Sequence, residues 1–474
     1  MGARGVRRPL GPLRARRREE GAVRVRSRRV AIVTGLAVAL FAAGGVGIWM
    51  RTQTPTSAVA APVTGKGGAS AEALQDHPVL AADSLAQTIA ALQARITAIP
   101  RDWNAMASLG IAYVQQARVT ADPTYYPKAE AVLRRSLAVH PEANFDAMVG
   151  MAALAAARHD FAGALSWGQQ AEAANPYNGG VHDVVGDALI ELGHYPQALA
   201  EIQKAVDTRP DLSSYARASY ALELQGDVHG AVRAMELALA AAGTAADTAW
   251  TENQLGELAF NAGDLAGADA AYRRAIAADP SFVPAHAGTA KVAAARGDLA
   301  GAIAGYEWAV TRYPLPEYVI ALGDLDTKAG LTEDAARDYG LLRVEERLFQ
   351  ANGVNVDLEI ALFDADHRVD LASGLAAAQA EWARRQSIHV ADALAWELYA
   401  NGRASEALAY VDRALALGTR SALFFFHRGM IERALGRTLA ARRDLATALA
   451  INPSFSILWS KPATSLLTRM GGAP

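Results

Sequence analysis

Through most of this chain, apolar side chains fall at i, i+3, i+4 and i+7 in one block after another, the spacing of amphipathic helices. Leu85, Ile89, Leu92, Ile96 and Ile99 form the first such block. No stretch alternates apolar and polar residues for more than a few positions, so the folded part reads as all-α. The blocks come in pairs joined by short turns, and the turns recur. Gly193, Gly226, Gly263, Gly297 and Gly330 each precede an alanine five residues later, at Ala198, Ala231, Ala268, Ala302 and Ala335. The same pair returns at Gly402/Ala407 and Gly436/Ala441. A period near 34 residues predicts helical hairpins stacked in a row, each burying its apolar face on its neighbours.

Prolines punctuate the stack. Pro176, Pro210, Pro280, Pro314 and Pro453 follow the second helices of their hairpins, where proline ends a helix and sets the next turn. The first hairpin opens at Leu109-Gly110 and Tyr113, with Ala129, Leu133 and Pro141 in its second half and a long loop, VTADPTYYP, between. The fourth lacks its proline and stops at Ala241-Ala242-Gly243. Residues 353–387 lack the glycine–alanine grid and are read as a degenerate repeat, where a large side chain at Ala365 should be tolerated. About ten hairpins are expected, two of them degenerate.

These residues resemble the tetratricopeptide repeat family. One repeat shows His182, Val185-Gly186, Leu189, Gly193, Tyr195, Ala198, Ala205 and Pro210; another shows Leu255-Gly256, Gly263, Ala268, Tyr272, Ala275 and Pro280. A third carries Gly297, Ala302, Tyr306, Ala309 and Pro314, with Ala290 in place of a glycine. The small residues stand where the two helices of a hairpin touch. The resemblance covers about 100–455 and implies a right-handed α-α superhelical solenoid with a concave groove. Residues 79–99 are expected to form a leading capping helix, and 456–474 a C-terminal capping helix and tail.

Charge divides the chain. Net charge is −3, yet residues 1–51 hold twelve arginines against Glu19 and Glu20. A 21-residue uncharged run from Val30 to Met50 follows the arginines, long enough to cross a bilayer as a helix. The expected order is therefore a basic cytoplasmic tail (1–29), a transmembrane helix (30–50), a flexible Ala/Thr/Gly/Pro/Ser-rich tether (51–78) and an extracytoplasmic solenoid. This arrangement is similar to a bacterial-type membrane-anchored tetratricopeptide repeat protein. Cleavage near Ala60, in the triplet Ala58-Val59-Ala60, would give a secreted form instead. A basic tail leading into an apolar span reads as topogenic, so no nucleic-acid partner is expected.

Candidate chemistry is sparse. The chain has no cysteine, which excludes disulfides, zinc–thiolate sites and thiol nucleophiles. Gly65-Lys66-Gly67-Gly68 lacks the spacing of a phosphate loop, and neither G-x-S-x-G nor H-E-x-x-H occurs. Asp364, Asp366, His367 and Asp370 read as a solvated acidic turn, and His182 as a structural histidine. No catalytic residue, cofactor or metal site is expected.

One stripe remains on the first helix of each hairpin, beside the face that meets its partner helix. It carries Asp146, Asp183, Asp187, Glu223, Glu257, Glu317, Asp324 and Asp392 against Lys291 and Arg433, with Tyr220, Trp250, Phe260, Trp396, Tyr399 and Phe426 interleaved. The resemblance places this stripe on the groove wall. The expected partner-binding residues are Asp183, Asp187, Tyr220, Glu223, Trp250, Asn253, Glu257, Phe260, Asp324, Trp396 and Tyr399, facing a basic or amphipathic protein or peptide. The expected function is a membrane-anchored, non-catalytic scaffold or adaptor. Its alternatives are an accessory or maturation factor handling a client peptide or ligand, and a cryptic hydrolase.

Overall fold

The computed structural model describes residues 82–120 and 122–472. A leading helix, α1 (Ala82–Ala98), precedes ten antiparallel hairpins. They are α2 (Trp103–Thr120) with α3 (Tyr125–Val139), α4 (Phe145–Ala157) with α5 (Phe161–Ala174), and α6 (Gly179–Glu191) with α7 (Tyr195–Thr208). Next come α8 (Leu212–Leu224) with α9 (Val228–Ala240), α10 (Ala245–Asn261) with α11 (Leu265–Ala278), and α12 (Val283–Arg296) with α13 (Leu299–Arg312). The last four are α14 (Pro316–Ala329) with α15 (Thr332–Ala351), α16 (Asp357–His367) with α17 (Leu371–Arg384), α18 (Ile388–Ala400) with α19 (Ala404–Ala414), and α20 (Ala422–Ala434) with α21 (Thr438–Ile451). A final helix, α22 (Ser460–Arg469), packs on α21, and no strand occurs among the described residues.

The turns are built by a local rule. In four hairpins an aspartate caps the second helix, accepting the N–H of a glycine three residues on: Asp160 from Gly163, Asp227 from Gly230, Asp264 from Gly267 and Asp298 from Gly301, at 2.8–2.9 Å. The glycine lets the capping carboxylate sit close over the turn, since a Cβ there would come within 2.2–2.3 Å of it and push the aspartate aside. Between the helices, contact depends on small residues. Gly256 on α10 and Gly288 on α12 clasp the ring of Tyr272, and a Cβ at either would lie 2.5 Å from it. Ala198, Ala268, Ala302 and Ala407 are fully buried at the matching crossings.

The segment without the glycine grid is a hairpin all the same. Its turn is made by Arg368 and Asp370, both in the left-handed region at φ 55° and 45°. His159 takes the equivalent conformation at φ 59° in the turn between α4 and α5. Ala365 is buried against Trp396, Phe426 and Leu445, so the expectation that a large side chain would be tolerated there is corrected.

The stack winds back onto itself. Tyr313, beyond α13, donates its hydroxyl to the Arg118 carbonyl on α2 (2.6 Å). Asn355 gives its N–H to the Arg158 carbonyl (3.2 Å) and its carbonyl to His159 Nδ1 (2.6 Å). Arg385 pairs with Glu191, and Ile388 N–H reaches the Tyr195 hydroxyl (2.8 Å). Thr419 donates to the Leu224 carbonyl, and Asn452 to the Phe260 carbonyl (2.8 Å). These side-chain bonds span 192 to 196 residues. In each case the turn region inside one hairpin meets the turn that follows the fifth hairpin after it. Five consecutive contacts of one kind form a seam between successive superhelical turns.

Among the described residues no helix is long and apolar enough to cross a membrane. The expected localisation, a single-pass membrane protein with its solenoid outside the cytoplasm, is corrected on that finding. Residues 30–50, on which it rested, the preceding tail, the tether and the Ala60 triplet lie outside the described residues.

Candidate functional site

The stripe residues sit on the first helices of the hairpins, and their acids find partners there. Asp183 and Asp187 on α6 converge on Arg217 of α8, which is 1% exposed. Arg217 Nε lies 3.0 Å from both Asp187 oxygens, and its Nη2 2.8 Å from Oδ2. Ser213 donates to Asp183 (2.8 Å). Burial pushes the Asp187 carboxyl up to about 7 although the guanidinium pulls it down. Asp183 is raised for the same reason.

The next two hairpins repeat this arrangement with other chemistry. The Tyr220 hydroxyl stands 3.3 Å from His389 Nε2, which belongs to the next superhelical turn. Half-buried Glu223 accepts from Asn261 (3.2 Å) and is raised by burial. Glu257 takes the Tyr272 hydroxyl (2.7 Å) and the Lys291 ammonium (2.6 Å), and Lys291 in turn sits 4.9 Å above the Phe260 ring. Asn253 is 6% exposed, and its carbonyl oxygen has no hydrogen-bond partner among the described residues. Trp250 is half-buried beside the core of α8 and α9. Glu317, whose burial is opposed by Lys291 but reinforced by Glu257 and Glu359, rises to about 8.

Further along, Asp324 accepts from His367 Nε2 (2.8 Å) and the Tyr339 hydroxyl (2.9 Å). Trp396 is 2% exposed, donates to Asp366 (2.8 Å) and stacks between half-buried Tyr399 and His427, 4.8 and 4.1 Å away. Asp392 holds His427 Nδ1 at 2.9 Å. The acidic run in α16 is therefore not one ligand shell: Asp364 pairs with Arg343, Asp366 receives Trp396 and Trp459, and His367 goes to Asp324. A separate group, Glu172, His182 and Glu201, has ligand atoms within 4.8 Å of one another. There His182 Nδ1 meets Glu201 Oε2 at 2.9 Å while Lys204 holds the other Glu201 oxygen at 2.8 Å, which is a satisfied ion-pair arrangement.

Sequence reasoning found the stripe and placed Lys291 on it, but missed Arg217 and His427 and did not pair any of the three with its acid. Arg217 lies 30 residues past Asp187, Lys291 34 past Glu257, and His427 35 past Asp392. A base one repeat after an acid on the same stripe was the available signal. Of the stripe residues, Tyr220, Glu223, Trp250 and Tyr399 stay half-buried, and Asp187 and Glu257 are engaged but partly open.

Comparison with known proteins agrees with the repeat. The tetratricopeptide repeat family profile matches residues 253–315 and 393–455, together well under half of the chain. The first runs from within α10 through α13 and the following turn, the second from within α18 through α21 and the turn after it. No curated protein matches the sequence. Solved structures share the helical repeat at low identity. The APC/C hetero-tetramer Cut9-Hcn1 is 17% identical over 83% of this chain and 82% of that one, with a TM-score of 0.37. The human IFIT1 dimer with m7Gppp-AAAA is 17% identical over 65% and 72%, at 0.42. A tetratricopeptide repeat protein from Parabacteroides merdae is 16% identical over 55% and 99%, at 0.33. Likeness at this level carries no argument about function.

Proposed function

We propose that the chain is a non-catalytic tetratricopeptide-repeat scaffold that binds protein partners on the inner wall of its solenoid. The observation that carries this reading is a set of half-buried side chains on first helices, Tyr220 and Glu223 on α8, Trp250 on the next first helix, α10, and Tyr399 on α18, aromatic anchors with a carboxylate among them. Interfaces concentrate affinity in such aromatics, while partly exposed charges govern encounter and selectivity. A basic or amphipathic segment is the complementary partner, because the wall's acids outnumber its bases. Residues 100–455 would form the binding body, with α1 and α22 shielding its ends.

The test is capture of crosslinked partners by the full-length chain and its variants. Trp250→Ala and Tyr399→Ala should each weaken capture by ~2 kcal/mol if they are hot spots. Glu223→Lys should weaken it and reduce its sensitivity to salt. Glu236→Lys, on the exposed side of α9, serves as the control. Loss of capture by Glu236→Lys, with all three wall variants unaffected, would place the interface elsewhere.

A further inference from the structure

The seam creates a cavity that no single hairpin possesses. Where the turn between α6 and α7 meets the chain between α17 and α18, a cleft of about 480 Å³ opens, bounded also by the end of α19. That volume lies in the range of small-molecule sites, ~300–1,000 Å³. Fifteen residues line it, among them Arg384, Arg385, Arg413 and His194, and none is a carboxylate.

The cations differ in how they are balanced. Arg385 is buried and spans Glu191 and Glu381, and Arg384 shares Glu381 with it. Two carboxylates thus answer two guanidiniums. Arg413 is the surplus: it makes no ion pair or hydrogen bond through its side chain among the described residues, and it rests 5.4 Å over the Trp382 ring. The Tyr410 ring braces Trp382 edge-on at 5.3 Å, so this platform is held in place. Exposed His194 adds a second polar group without a side-chain partner among the described residues, making no cap bond to α7. Leu192, Leu417 and Trp382 supply apolar wall beside these groups.

We propose that this seam cleft binds a small organic anion, a carboxylate or phosphate monoester with an apolar body. Its head group meets Arg413 and Arg384, and its body lies against Leu192, Leu417 and Trp382. A guanidinium is matched to both head groups through paired N–H donors. Because the lining comes from two superhelical turns, the ligand bridges them and strengthens the seam.

Titration calorimetry on the full-length chain tests this with phenyl phosphate and 3-phenylpropionate as probes, and 3-phenylpropanol and inorganic phosphate as partial mimics. At least one of the two anions should bind, and the tighter one identifies the head group. Arg413→Glu should weaken it by about tenfold or more, the loss of one charge-assisted contact, and Arg413→Lys should restore part of it. The bound anion should also slow amide exchange at Gln386 and Ile388, whose N–H groups cross the seam. Binding of the neutral alcohol as tight as the acid would overturn the anion assignment, and inorganic phosphate binding as tightly as phenyl phosphate would overturn the apolar one. Binding unchanged in Arg413→Glu, with an unchanged melt showing a folded variant, would overturn the site. So would a failure of both anions to bind.

Discussion

The side-chain amide of Asn452 donates to the main-chain carbonyl of Phe260 at 2.8 Å, joining residues 192 apart. Phe260 ends a first helix in one superhelical turn, and Asn452 follows the last hairpin of the next. Asn452 is 2% exposed, so this bond is buried within the seam. The Phe260 carbonyl also accepts the Gly263 N–H of its own turn (2.9 Å), so the next turn of the coil fills its second lone pair.

The glycines of the turns separate seam from turn chemistry. Gly226 and Gly297 both hold positive φ, 78° and 86°, so alanine at either carries ~1–2 kcal/mol of backbone strain. At Gly226 the new Cβ would also sit 2.3 Å from the Gly418 carbonyl oxygen of the next turn, whereas at Gly297 nothing lies within 4 Å. Gly226→Ala should therefore lower the melting temperature more than Gly297→Ala and speed amide exchange around 418–420. Equal effects would mean the turns do not stay docked in solution.

Arg217 is the counter-charge for two buried acids. Arg217→Met keeps most of the volume but leaves Asp183 and Asp187 without their cation. Removing one partner of a buried ion group costs ~3–5 kcal/mol. The denaturant midpoint should fall accordingly, and the fall should shrink below neutral pH, where Asp187, already raised to about 7, takes up a proton. A loss that does not change with pH would show that packing, not charge, explains the effect.

Glu345 on α15 is fully buried, and neither of its oxygens has a hydrogen-bond partner among the described residues. Burial alone pushes its pKa from 4.5 up to about 9. Between those values the unfolded chain ionises while the folded one keeps its proton, so the group's contribution to stability falls as pH rises from 4.5 to 9. Glu345→Gln cannot ionise. The variant should match the native chain near pH 4 and exceed it in melting temperature at pH 8. Parallel melting curves across that range would refute the assignment.

Overpacking should be felt at every hairpin crossing, including the one the sequence disguised. Gly288→Ala would drive a methyl into the Tyr272 ring, and Ala302→Phe would force apart α12 and α13, each costing ~1–3 kcal/mol or more. Ala365→Phe should destabilise as well, since Ala365 is 3% exposed. Thermal melts of the three variants check this, and an unchanged Ala365→Phe would return that segment to an irregular state.

What the sequence by itself determined is whatever depends on neighbours in the chain. Helical periodicity, the glycine turns, the proline stops and the small residues at crossings all act within one hairpin or between adjacent ones. They were enough to read an all-α repeat of about ten hairpins and to pick out a stripe of acids and aromatics on its first helices. Two turns escaped because His159, Arg368 and Asp370 adopt the left-handed conformation without glycine, a choice that surrounding contacts impose and local propensity does not. The tertiary structure alone decided the rest. Small rotations between hairpins accumulate until Asn452 lies on Phe260 and Tyr313 on Arg118, and no local pattern records that sum. Packing of neighbouring hairpins turned Asp187 and Glu257, acids that looked free, into members of ion pairs with Arg217 and Lys291. The winding also left Arg413 without a carboxylate partner among the described residues, in a cleft that exists only where two turns of the coil meet.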